Sequence, residues 1–379
     1  MSSSSIQIPF GSVYFRKSYP PREDWARDYS VAREDGMNVF RHWFMWGSIE
    51  TAPGRYDWDD YDRQMDLAAE NGMKTVVAEL IHSVPEWALT AFPDARQITM
   101  HGQPVHTMMG PSSSTGGFST HGGGGTLSLH CPGFREAAER FLKALAERYK
   151  DHPGMLGYDV WNECNYSELV DYSDYGKAQF RKWLQEKYGT VEELGRAWRR
   201  YSYASWDDVE PPYRMGMAPE CIDWMWFKRD DAYDLMQWRI DTIRAVHPDA
   251  LIAAHGVAGA VHRLAKNGCD DWLAASKVQV YGFTFVASRQ GNQAWKHFAA
   301  VDLVRAASRG KPFWHAEAQG GPLWLQPQVT GREKIDGRVS EPEDVRIWWL
   351  ASLAGGARGL LNPRWRPLLD GPLFGAFGA

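Results

Sequence analysis

Two glutamates carry the strongest chemical signal in this chain. Trp161-Asn162-Glu163 closes the apolar run Met155-Leu-Gly-Tyr-Asp-Val, and Glu317 closes the run Lys311-Pro-Phe-Trp-His-Ala. Short apolar runs bounded by turn signals read as buried strands. A carboxylate at the C-terminal end of such a strand stands where barrel enzymes keep their reacting groups. Two of them, far apart in sequence, suit work on a single acetal: one protonates the leaving oxygen, the other attacks the anomeric carbon or activates water. Glu163 is assigned as acid/base and Glu317 as nucleophile.

Each role needs a particular environment. The acid must keep its proton near neutral pH, which burial beside Trp161 and a neighbouring carboxylate would favour. Glu317 must stay ionised, and Arg41, in the second strand-like run, is the best donor for it. Arg41 could equally pair with Glu50 or Glu79. Asn162 is placed to donate to the sugar hydroxyl beside the anomeric carbon. His42, His82, His255 and His315 also fall near strand ends. A core or supporting role is the simplest reading, above all for His42. His82 and Tyr281 are included as substrate contacts.

The elements that must position these groups alternate. Strand-like runs start at Ser12, Met37, Lys74, Met155, Leu251, Val278, Lys311 and Arg358. The first runs to Arg16 and the third to Ile81. Helical patterns cover 22–34, 59–70 and 134–149, the last with Phe134, Ala137, Ala138, Phe141, Leu142 and Leu145 on one stripe. A long loop is expected from about Pro85 to Pro132, with a glycine run at Gly122 to Gly125. Residues 165–250 read as a helical insertion between strands four and five. The expected fold is α/β: a (β/α)8 TIM barrel forming one catalytic domain over 1–379. No clear eighth helix follows strand eight, so either the chain is truncated or the barrel closes differently.

Composition narrows the function classes. The chain has 379 residues, 44% hydrophobic and 23% charged, within the range of one large globular domain. A net charge of −5 disfavours nucleic acid or an anionic membrane as partner. No run of about 18 apolar residues suggests a membrane span. The start, Met-Ser-Ser-Ser-Ser-Ile, lacks the features of a secretory signal, so a cytoplasmic location is the default expectation. Cys131, Cys164, Cys221 and Cys269 fit no zinc spacing and read as free thiols; no metal and no cofactor are expected. The 19 tryptophans are expected mostly in the core, with those at strand ends as candidate sugar platforms. No glycine-rich phosphate loop follows strands seven and eight.

Several separated motifs resemble the glycoside hydrolase family 42 β-galactosidases. They are Ser12-Val-Tyr-Phe-Arg-Lys-Ser-Tyr-Pro-Pro-Arg-Glu-Asp-Trp, Glu34-Asp-Gly-Met-Asn-Val-Phe-Arg, Glu50-Thr-Ala-Pro-Gly-Arg-Tyr-Asp-Trp, Pro85-Glu-Trp, Cys131-Pro-Gly-Phe-Arg, Tyr149-Lys-Asp-His-Pro and Phe180-Arg-Lys-Trp-Leu-Gln-Glu-Lys-Tyr-Gly. The resemblance implies a barrel with its acid on strand four and its nucleophile on strand seven, and hydrolysis with retention. It places Asn162-Glu163 on the family's Asn-Glu pair, Glu317 on its nucleophile and Arg41 on its strand-two arginine. Trp324 falls on the downstream tryptophan that lines the sugar site, and Trp365-Arg366 on the Trp-Arg after strand eight. The sequence also departs from the family. Only Cys131 lies near the zinc cluster of some branches. Leu373 and Ala376 stand near where a Glu and a His hold galactose hydroxyls. The later trimerisation and β domains are absent, which leaves a homo-oligomer possible but unsupported.

The leading expectation is a retaining exo-glycosidase for terminal β-linked galactose-like residues, acting on a small oligosaccharide or glycoside. The alternatives are a clan relative with another specificity, such as an arabinopyranoside, and a non-catalytic carbohydrate-binding barrel.

Overall fold

The computed structural model describes residues 8–17, 19–78, 80–105, 126–164, 166, 169–258, 270–285, 294–318, 324–325 and 338–367. Eight parallel strands close into a barrel. They are β1 (Phe10–Val13), β2 (Val39–Trp43), β3 (Lys74–Ala78), β4 (Met155–Asp159), β5 (Ile252–Val257), β6 (Val280–Phe285), β7 (Phe313–Ala318) and β8 (Leu360–Pro363). Each strand pairs with its chain neighbours, and β8 returns to β1 with Phe10 opposite Leu360. The fold is a (β/α)8 barrel. Among the described residues no helix is long and apolar enough to cross a membrane.

Helices shield the outer face: α1 (Trp25–Glu34), α2 (Asp59–Glu70) and α3 (Pro132–Tyr149) follow the first three strands. Between β4 and β5 the chain forms α4 (Asp174–Tyr188), α5 (Val191–Trp198) and α6 (Pro219–Arg244). Then come α7 (Asp271–Lys277), α8 (Ala294–Ser308) and α9 (Pro342–Ala354). Local chemistry sets several ends. Proline opens α3, α6 and α9, where a missing N–H costs nothing. Ser173 and Thr190 cap α4 and α5 through their hydroxyls.

The strands alternate cleanly between two cores. Val39, Val76, Ala253, Val280, Trp314 and Leu361 fill the barrel interior. Tyr14, Phe40, Val77, Tyr158, Ala254, Tyr281 and Phe283 face the helices in the main core. A third apolar cluster lies outside the barrel, where Phe180, Leu184, Leu194 and Trp198 of α4 and α5 meet Trp224 and Phe227 of α6. Buried Asp223 ties that cluster together, accepting from the Trp198 indole at 2.8 Å and from the Tyr188 hydroxyl at 2.6 Å. Tryptophans 25, 46, 58, 161, 198, 224, 314 and 348 are all buried.

Several expected boundaries move. The first strand starts at Phe10 rather than Ser12, and the last at Leu360 rather than Arg358, because the β1–β8 ladder fixes both. The third strand stops at Ala78, and Leu80–His82 turns as a 3-10 helix instead of extending it. The expected loop after Pro85 holds a short helix, Glu86–Ala91. Residues 106–125, including the glycine run, lie outside the described residues, as does the segment after Pro367.

One irregularity bears directly on function. Along β6 and β7, Phe283 faces His315 but the next pair is Thr284 with Glu317, so Ala316 is an extra residue. Simple alternation from the inward Trp314 would turn Glu317 outward; the bulge turns it into the barrel mouth instead. Gly282 makes room for this. A β-carbon there would stand 2.8 Å from Cβ of Ala316 and 2.9 Å from Cβ of His255. Gly282→Ala is therefore expected to cost about 1–3 kcal/mol by overpacking, read as a lower urea midpoint with an unchanged slope.

Candidate active site

Arg41 organises the barrel mouth. It points inward from β2 and is 1% exposed. Its Nη1 donates to Glu317 Oε1 at 2.6 Å, and its Nη2 donates to Asn162 Oδ1 at 2.5 Å. Nη2 also lies 3.0 Å from Asp159 Oδ2. One planar guanidinium thus joins β2, β4 and β7 in a fork geometry that lysine could not reproduce. Neither Glu50 nor Glu79 is its partner in these contacts. Glu50 accepts from the Trp46 indole and the Gly54 amide, and Glu79 lies outside the described residues.

His255, inward-facing on β5, completes the cluster. Its Nδ1 is 2.9 Å from Asp159 Oδ2. A carboxylate can only accept, so Nδ1 carries the proton and Nε2 is left to accept. Nε2 receives the backbone N–H of Glu163 at 3.4 Å and stands 3.8 Å from Glu317 Oε1. The His255 carbonyl accepts from the Cys164 amide at 2.6 Å. One residue thus touches both candidate glutamates, through the backbone of one and the side chain of the other.

Asp159 is nearly fully buried. Burial alone would raise its pKa, but the charge of Arg41, then the charge and hydrogen bond of His255, outweigh it and hold the carboxyl at about 2. An ionised Asp159 keeps His255 in one tautomer and gives Arg41 a second anchor.

The Trp161-Asn162-Glu163 turn is supported from below. Glu163 has φ of +48°, a left-handed conformation that costs a non-glycine residue about 1 kcal/mol or more. Trp161 is buried against Tyr233 of α6, ring centres 5.5 Å apart, with the Arg239 guanidinium 5.1 Å from its ring. Burial depresses the Arg239 pKa to about 10. A cavity of about 10 Å³, room for roughly one water, is lined by Leu80, Ile81, His82, Val160, Trp161, Asn162 and Arg239. Burial, then Arg239, lowers the His82 pKa to about 4.

The structure therefore brings Arg41, Asn162, Glu163 and Glu317 to one place, with His82 beside Asn162. It does not bring Tyr281 or Trp365 there. Tyr281 faces outward and donates to buried Asp271 at 2.6 Å, because Val280 takes the inward position. Trp365 packs on the outward Phe40, ring centres 5.9 Å apart, and Arg366 is held by Asp24 and Asp28 of the first helical region. The Trp324 side chain, Leu373 and Ala376 lie outside the described residues. His42 and His315 are core residues: His42 meets the Tyr29 hydroxyl at 2.8 Å, and His315 meets Ser352 at 2.8 Å. No disulfide joins Cys131, Cys164 or Cys221. Among the described residues no group of three His, Cys, Asp or Glu side chains is placed to hold a metal.

Asp159 and His255 are the functional residues that the sequence reading passes over. An acid inside an otherwise apolar strand run was the available signal for Asp159. His255 is flagged by its place near a strand end, but nothing local says which way it faces.

Fold and site together define a (β/α)8 barrel with carboxylates gathered at the C-terminal ends of its strands. The sequence model of the glycoside hydrolase family 42 β-galactosidases matches residues 14–371, so the chain belongs to that family. It is 25% identical over 379 residues to β-galactosidase Bga of Halorubrum lacusprofundi, covering 95% of this chain and 51% of the relative. It is 27% identical over 376 residues to a β-galactosidase of Thermus thermophilus, covering 94% and 54%. The chain spans about half the length of the curated relatives it matches. Among solved structures, the cold-adapted β-galactosidase of Rahnella sp. R3 superposes with a TM-score of 0.80 at 21% identity, over 100% of this chain and 53% of that one.

Asp159 gives the cluster a pH signature. Its folded pKa is depressed, so its stabilisation is present above about pH 4 and lost as pH falls through about 2. The depression is worth about 2 kcal/mol. Asp159→Asn should lower stability at neutral pH by about 3–5 kcal/mol through the stranded Arg41 charge. It should also flatten the acid limb, both measured by urea denaturation across the acid range.

Proposed function

We propose that this barrel hydrolyses terminal β-linked galactose-like residues with retention of configuration, using Glu317 as nucleophile and Glu163 as acid/base. The observation that carries this reading is the Arg41 fork, which bonds Glu317 on one side and Asn162 on the other. A permanently charged donor at 2.6 Å favours an ionised carboxylate, the form that can attack.

The steps balance without any further reagent. Glu317 Oε attacks the anomeric carbon while the Glu163 carboxyl passes its proton to the departing glycosidic oxygen. A covalent glycosyl ester forms and the aglycone leaves as an alcohol. Glu163, now a carboxylate, takes a proton from water as that water attacks the anomeric carbon. Glu317 is released as carboxylate, and the acid is restored. Asn162 gives its carbonyl oxygen to Arg41, so its amide N–H is left for the sugar hydroxyl beside the reacting carbon. That contact strengthens as the ring flattens toward the oxocarbenium ion. His255 fixes the Glu163 backbone and leaves its side chain to reach the leaving group.

Glu317→Gln should reduce turnover of 4-nitrophenyl β-galactoside by about 10³-fold or more while ligand binding persists. Glu163→Gln should lose about 10²–10⁴-fold on alkyl galactosides but far less on 4-nitrophenyl substrates, whose leaving group needs little protonation. Proton NMR of the first-formed product should show the β-anomer. An α-anomer first would reverse the assignment of Glu317, and unchanged turnover in both variants would mark a binding module instead.

A further inference from the structure

Two further arginines stand at the same mouth. Trp43 follows Arg41 by two residues on β2 and faces inward with Val13, Met45 and Ala78. It therefore lies roughly 7 Å further along the strand toward the open end. The Arg364 guanidinium sits 3.8 Å from the Trp43 ring centre and that of Arg16 sits 5.7 Å from it. Trp43, Arg16 and Arg364 are each 3% exposed.

The backbone holds all three. The Trp43 N–H donates to the Phe15 carbonyl at 2.8 Å, beside Arg16, and the Trp365 N–H donates to the Val13 carbonyl at 3.0 Å, beside Arg364. Arg16 and Tyr19 exchange backbone hydrogen bonds at 3.1 and 2.9 Å, closing the turn that carries Arg16. These are the C-terminal ends of β1, β2 and β8, the face on which Glu317 and Asn162 lie.

The side chains at this spot donate. Both guanidiniums offer N–H groups, and the Trp43 indole N–H is buried with no acceptor. An indole N–H left dry costs about 1–3 kcal/mol unless a ligand supplies the acceptor. Arg16 and Arg364 make other contacts within the protein, so the argument rests on their position and charge. Stacking on a ring returns about 2 kcal/mol at most, less than the several kcal/mol that desolvating each guanidinium costs. A neutral pyranose would use such a site poorly; a planar carboxylate or a sulfate ester matches a guanidinium fork.

We propose that the sugar taken by this barrel is anionic: a galactose-like residue bearing a carboxylate or a sulfate ester, bound by Arg364 and Arg16 over Trp43. This deepens the glycosidase reading and rests on it only for which bond is cut.

The test has a binding arm and a turnover arm. Calorimetry on the Glu317→Gln protein uses galactose, galacturonic acid and galactose 6-sulfate at low ionic strength. Kinetics on the wild type use 4-nitrophenyl β-galactoside, its uronide and its 6-sulfate. The expected result is about tenfold or more in favour of one charged sugar, in affinity and in kcat/KM, as charge-assisted hydrogen bonds allow. The carboxylate and sulfate arms decide which anion it is. Arg364→Gln should cut the charged-to-neutral ratio at least about fivefold, and Arg364→Lys should keep part of it. Equal or better binding and turnover of the neutral sugar in the wild type overturns the proposal, as does no binding of any of the three. Preferential binding of a charged sugar with no turnover of any glycoside would instead overturn the glycosidase reading and leave the anion site standing.

Discussion

A single buried cation holds the site in register. Arg41 is almost without solvent contact, and a guanidinium in that position is costly unless anions answer it. Asp159 and Glu317 answer it from opposite sides of the barrel, and Asn162 takes a remaining N–H. Each partner sits on a different strand, so the arrangement exists only when the barrel is closed. The chemistry and the fold are thus coupled at one residue. Remove Arg41, and two buried carboxylates face each other with only His255 between them.

Around that cation the groups differ in how they are fixed. Glu317 is aimed by backbone, through the extra residue Ala316 in β7. Glu163 is aimed by a left-handed turn that His255 holds at two points. Asn162 is oriented by Arg41, which decides the face its amide N–H presents. None of these depends on a surface loop for its placement, and rigid elements position reacting groups more accurately than loops do.

The sequence was most readable where polar residues interrupt apolar runs at strand ends. Glu163, Glu317, Asn162 and Arg41 stand out for that reason, and the alternation of strands and helices is plain from periodicity. Facing was harder. Tyr281 and Val280 are adjacent, and one of them must point at the helices; the run Val-Gln-Val-Tyr-Gly-Phe does not say which. Trp365 misleads likewise, since a tryptophan at a strand end can stack on a sugar or on Phe40. Glu317 shows the converse, because strict alternation would have turned it away and only the bulge brings it in. His255 and Asp159 are invisible as a pair without coordinates, since 96 residues separate them. Strand limits shifted by a few residues because ladder pairing, not local propensity, decides where a strand ends.

The longest helix has a role that reaches past its own packing. α6 runs 26 residues, about 39 Å, from the aromatic cluster outside the barrel to the underside of Trp161. Trp224 and Phe227 near one end and Arg239 near the other share one continuous hydrogen-bonded rod. The outlying aromatic cluster is therefore a strut foundation: loosening it would tilt the rod and shift the floor beneath Trp161, although nothing there touches a sugar. Temperature adaptation in this chain can be set at a distance, by the stiffness of a cluster that takes no part in the reaction.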